Sequence, residues 1–203
     1  RSLYMSAPLA ASAIKTNRTN VVGEGLKLKS TIDYSYLGMT PEAAAEWQRQ
    51  AEREFELWAE SKFCDATRSN NFYEIQQTAL MSWLMNGDAC VLVEYERPKK
   101  FYPYGLRVRL IESDRVSTPH TTGNTVNLYA KDLQTGNRIY NGVELNDAGQ
   151  IVAYHFCSTY PNSNLHAEKK WTRVKAFGDK TGIPNVLMIY ETERPELYRG
   201  VPY

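Results

Sequence analysis

The sequence lacks most of the features that assign a protein quickly. Its three cysteines, Cys64, Cys90 and Cys157, are odd in number, widely separated and in no CxxC spacing. That argues against a disulfide framework and makes reduced thiols the default. No run approaches the roughly 18 apolar residues of a membrane span, and no signal peptide opens the chain. Charge of one sign is missing too: 24 Lys and Arg against 23 Asp and Glu leave a net charge of +1. A domain that held nucleic acid by neutralising phosphates would carry a clear basic excess, so the balance argues against a stand-alone nucleic-acid binder.

Catalytic spacing is equally scarce. There is no HExxH, no Walker sequence and no GxSxG. Gly23-Glu24-Gly25 is a fragment of a phosphate-binding fingerprint, but it runs from helix to strand, the reverse of the order that aims a helix N-terminus at phosphate. The sharpest enzyme candidate is His155 with Cys157. Two apart on a strand, they share a face, as metal ligands or a nucleophile–base pair would. A zinc site wants four such groups, and His120 and His166 fall in irregular loops; a strand residue beside a small buried hydrophobe is the plainer reading. The run Arg97-Pro98-Lys99-Lys100, followed by Phe101, Tyr102 and Tyr104, is the alternative nucleic-acid patch, against the plainer reading of a solubilising loop. From the residues themselves no catalytic, cofactor or metal residue is assigned.

What is there is a globular chain of 203 residues, 42% hydrophobic, with 14 Tyr and 4 Trp, long enough to bury a sizeable core without cross-links. Its character changes near residue 88. Residues 1–87 read as mainly helical and residues 88–203 as mainly β, an α+β chain with a mostly antiparallel sheet region. Pro8 to Val22 reads as a helix stopped by Gly23, with Leu9, Ala13, Ile14 and Val21 as its apolar face. Gly25 to Ser30 (GLKLKS) alternates as a short strand. Thr40 caps a helix whose first residue is Pro41, with Trp47, Ala51, Phe55 and Trp58 as its stripe. Asn71 and Glu74 form a capping-box start for a third helix, which Gly87 ends. The tryptophans read as core. Strands follow at ACVLVEY, LRVRLIE (Leu106, Val108 and Leu110 on one face, Arg107 and Arg109 on the other), WTRVKAF and NVLMIYE. A hairpin in GVELNDAGQIVAYHF turns at Gly149.

Several stretches, taken in order, resemble the lambda-type portal proteins of tailed bacteriophages: TNVVGEGLKLKS, AEWQRQAEREFELWAES, NFYEIQQTALMSWLMNGDACVLV, LRVRLIESDRV, NGVELNDAGQIVAYHF and NVLMIYETERPELYRGVPY. The residues that carry it include Arg115, Gly142, Val143, Glu144, Arg194, Pro195, Arg199, Gly200, Val201 and Pro202. The resemblance covers nearly the whole chain. It implies a structural subunit of a dodecameric ring at one vertex of the phage head. Through that ring double-stranded DNA is packaged by the terminase and later ejected, with capsid, scaffold and head–tail connector proteins as neighbours. It implies no cofactor and no membrane. It also implies that this chain is the N-terminal wing, cropped where the RGVP turn hands over to the stem, with clip and crown elsewhere. Such a piece is expected to be mostly monomeric on its own.

Overall fold

The structure, a computed structural model, describes residues 2–119, 129–161 and 168–202. Among these residues four α-helices come first: α1 (Ser2–Ser6), α2 (Pro8–Val21), α3 (Pro41–Glu60) and α4 (Phe72–Asn86). Eight strands follow among them: β1 (Asp88–Tyr95), β2 (Leu106–Ile111), β3 (Tyr129–Lys131), β4 (Arg138–Tyr140), β5 (Val143–Leu145), β6 (Ile151–Cys157), β7 (Trp171–Lys175) and β8 (Val186–Tyr190). The chain is α+β, as expected.

The helix ends obey their local signals. The Thr40 side chain accepts from the Ala43 amide, with Pro41 at the first position. Asn71 and Glu74 form both halves of a capping box, and Gly87 closes α4 at φ 86°. Gly87 sits where a left-handed residue lets the last carbonyls find partners.

The strands form two antiparallel sheets, one ordered β2-β1-β8 and the other β3-β4-β5-β6-β7. The first is the middle layer of three. Val91 and Val108 face the helices, in a cluster with Trp58, Ala59, Cys64, Ile75 and Tyr102. Cys90, Ile111 and Val186 face the second sheet, against Val143, Tyr154 and Phe156. Burial on both faces explains why β1 reads as an unbroken apolar run.

Four expectations need correction. Residues 25–30 belong to no strand: they lie along α3 and α4 as an arm, held by side chains rather than by a neighbouring strand. Helix α2 buries none of its residues, and Leu9 stands exposed. Trp47, placed in the core by its stripe, is 50% exposed, whereas Trp58 is buried. Arg107 is buried as well, because its Nη1 reaches the carbonyls of Tyr104 and Leu106 and its Nε reaches Glu96. An arginine whose donors find carbonyls within its own hairpin can leave solvent despite its charge.

Candidate functional site

The polar groups that the fold concentrates lie in two buried knots. The first begins with Asp88, the residue after the Gly87 stop and the first of β1. Its side chain is 1% exposed. Arg199, from the C-terminal segment, answers it: Nε donates to Oδ2 at 2.5 Å and Nη2 to Oδ1 at 3.2 Å. Nη1 donates to the carbonyls of Val116 (2.8 Å) and Asn141 (2.9 Å), and Nη2 to that of Ser113 (2.9 Å). A guanidinium has five N–H donors, and here every one is spent. The Gly200 amide adds a bond to Asp88 Oδ2 at 3.3 Å. One side chain thus ties β1, the turn after β2 and the β4–β5 turn to the end of the chain.

The second knot centres on Glu144 of β5, whose side chain is 0% exposed. Glu144 lies opposite Ala153, and His155 lies opposite Arg173. Because residues two apart share a face, Glu144, His155 and Arg173 converge on the side of the second sheet away from Val143 and Tyr154. Arg173 grips the carboxylate with two bonds, Nε at 2.7 Å and Nη2 at 3.0 Å. His155 Nε2 lies 3.0 Å from Oε2, and Asn137 and Thr135 donate to Oε1 at 2.7 and 3.0 Å. Burial pushes the Glu144 carboxyl up, but the donors from Arg173, Asn137, His155 and Thr135 outweigh it and hold it down at about 2. Such a carboxylate stays ionised with its acceptor sites filled, which makes it neither a proton store nor a nucleophile.

Asp132, Glu144 and His155 bring ligand atoms within 4.8 Å of one another, the one such group among the described residues. A cation there would have to displace the Arg173 guanidinium. Asp132 is itself occupied by the amides of Gln134 and Thr135. The arrangement fits a neutralised structural cluster, not a metal site.

The motif residues sort accordingly. Arg115 donates to the Cys157 carbonyl at 3.0 Å. Gly142, at φ 82°, would bring a Cβ to 2.5 Å from the Ser117 amide nitrogen, so the backbones there touch. Val143 is core. Arg194 and Pro195 line an open groove of about 900 Å³ beside Tyr129 and Tyr140, while Val201 and Pro202 are exposed. His155 and Cys157 are both buried, but His155 is committed to Glu144, and Cys157 is not among the grouped ligand atoms. His120 and His166 lie outside the described residues. The Arg97 to Lys100 loop is exposed, with Lys99 paired to Glu96 at 2.9 Å. Residue patterns missed Asp88 and Arg173 as partners. A lone acid opening an apolar strand was the only available hint for Asp88.

Comparison with known proteins bears on what such a scaffold is for. The family model described as "Phage portal protein, lambda family" matches residues 1–203. The chain is 26% identical over 148 residues to a portal protein of Escherichia phage N15, covering 72% of this chain and 26% of that one. It is 25% identical over 166 residues to portal protein B of Escherichia phage lambda, covering 80% and 28%. It is 25% identical over 186 residues to a probable portal protein of Halomonas phage phiHAP-1, covering 90% and 32%. The chain therefore spans about a third or less of the length of these relatives. The match along its entire length means that this chain belongs to the lambda family of phage portal proteins.

Proposed function

We propose that this chain is the wing portion of a portal-ring subunit, a structural part of the vertex through which phage DNA enters and leaves the head. Family membership over residues 1–203 carries the reading. The saturation of both buried knots supports it, since their charged groups hold elements together and leave no reactive atom poised over a cleft. The near-neutral charge supports it as well: a surface that grips DNA would be basic, and +1 over 203 residues is not.

In this reading twelve subunits close a ring by head-to-tail contacts, which requires two different complementary surfaces on each copy. The terminase, capsid or scaffold proteins and head–tail connectors meet the ring. Double-stranded DNA passes through its centre without covalent change. The location is the virion, after assembly in the host cytoplasm. Arg115, Gly142, Glu144, Arg199 and Gly200 act by fixing the shape of the wing, and no residue is catalytic.

Electron microscopy of the full natural polypeptide tests this directly. Rings with a central hole are expected. A compact single subunit with a ligand pocket and turnover would overturn the reading.

A further inference from the structure

Two main-chain edges of this chain are bare, and they match. The first belongs to the arm and its continuation to residue 32. The Leu26 amide donates to Gln76 Oε1 at 2.6 Å, and the Leu26 carbonyl accepts from Gln76 Nε2 at 3.2 Å. The amides of Ser30 and Ile32 donate to Glu52 Oε1 (2.7 Å) and Gln48 Oε1 (3.1 Å). Helix side chains thus do for the arm what a neighbouring strand would do. Between residues 26 and 32 the main-chain groups so held belong to even-numbered residues, the two-residue period of an extended chain. The main-chain groups of Lys27, Lys29 and Thr31 therefore point the other way, and among the described residues their amides have no partner. Leu26 and Leu28 are 61% and 45% exposed.

The second bare edge is β8, the outer strand of the first sheet. The Val93 amide donates to the Asn185 carbonyl at 2.9 Å, in line with the β1–β8 register. Odd-numbered residues of β8 hence turn their main-chain groups toward β1, and Val186, Met188 and Tyr190 turn theirs outward. Among the described residues those three amides are unpaired. Leu187 and Ile189 stand 43% and 46% exposed. An open apolar edge of this kind is a template for strand addition.

We propose that the arm of one copy adds as an antiparallel strand to β8 of the next copy. In antiparallel pairing, residues that exchange hydrogen bonds sit directly opposite each other. Lys27, Lys29 and Thr31 must then oppose the even-numbered residues of β8. This sets Leu26 and Leu28 opposite the odd-numbered ones, on the face where Leu187 and Ile189 are exposed. Parallel pairing would set the lysines against those apolar side chains instead. Main-chain geometry and side-chain polarity thus select the same arrangement independently.

A second copy is the occupant because the matching strand is part of this chain, yet the arm in its own molecule lies against α3 and α4 and leaves β8 open. The two surfaces differ, as a head-to-tail contact needs. The inference rests on the ring reading and names the contact within it.

The test is oxidative cross-linking in the full natural polypeptide, with microscopy on the same samples. Leu28→Cys is combined with Leu187→Cys or, one register step away, with Ile189→Cys. The native thiols are buried and do not compete. Expected are rings, and a ladder of covalent multimers rising one subunit at a time for one of the two pairs. Lys27→Cys with Leu187→Cys, on the wrong face, is expected to give none. Rings without a ladder from either pair overturn the contact and leave the ring reading intact. Absence of rings overturns the ring reading and this contact with it.

Discussion

A Cβ placed on Gly200 would stand 1.7 Å from the carbonyl oxygen of Gly87, and one on Gly87 would stand 2.5 Å from the carbonyl carbon of Gly200. The residue that ends α4 and a residue near the end of the chain therefore pack backbone to backbone. Gly200→Ala is expected to force these segments apart at a cost of about 1–3 kcal/mol. Its exposed neighbour Val201, changed to Ala, should stay within about 0.5 kcal/mol of the parent. Urea unfolding of the two variants gives the comparison; equal midpoints would refute the close contact.

Arg199→Met leaves the buried Asp88 carboxylate unpaired, an outcome that typically costs about 3–5 kcal/mol. Combining it with Asp88→Asn is expected to cost less than the sum of the single changes, because the two groups serve each other. Arg199→Lys should recover little, since three ammonium donors cannot reach five acceptors. A double-mutant cycle from denaturant midpoints measures the coupling, and simple additivity would sink it.

The Glu144 knot carries an acid signature. Its folded carboxyl titrates at about 2 against an ordinary value of 4.5. A depressed folded value contributes stability that is fully present above the unfolded value and is lost as pH falls through the folded one. Asp65 acts in the same direction: burial raises its carboxyl, but Thr67 and the amides of Thr67, Asn70 and Ser69 hold it down. Stability should fall from about pH 4.5 toward pH 2. In Glu144→Gln that slope should flatten, with a loss already present at pH 7. Chemical denaturation followed across this window decides it.

The thiols should be inert in the folded protein. Cys64, Cys90 and Cys157 are all buried. Burial, with the neighbouring Asp65 charge, pushes the Cys64 thiol up to about 11, and burial pushes Cys90 up to about 12. Since the thiolate is the nucleophile, a disulfide reagent is expected to titrate three thiols only after unfolding. Rapid native labelling of Cys157 would revive the thiol-enzyme reading.

The basic loop after β1 should not hold DNA. Lys99 is engaged by Glu96, and the chain as a whole is nearly neutral. Fluorescence anisotropy with duplex DNA is expected to show little binding near physiological salt. Tight binding with a steep salt slope would instead support a nucleic-acid interface there.

Legibility followed the range of each interaction. Thr40, Asn71, Glu74 and Gly87 announce helix ends because a cap acts within a few residues. Strands of five to eight residues showed in their apolar pattern. Strands β3 and β4, with three residues each, are too short to display alternation. The arm at 25–30 alternates like a strand, yet pairs with glutamine and glutamate side chains because two helices, not a sheet edge, lie beside it.

The order of caps and apolar periods along the chain determined by itself the α+β class, the starts of α2, α3 and α4, the end of α4 and the hairpin at Gly149, since these depend on neighbours in sequence. Tertiary structure alone decided that Arg199 meets Asp88 111 residues away and that Glu144 gathers Asn137, His155 and Arg173. A charge can be buried only where the folded chain assembles enough donors or acceptors to replace water, and that assembly depends on which strands become neighbours.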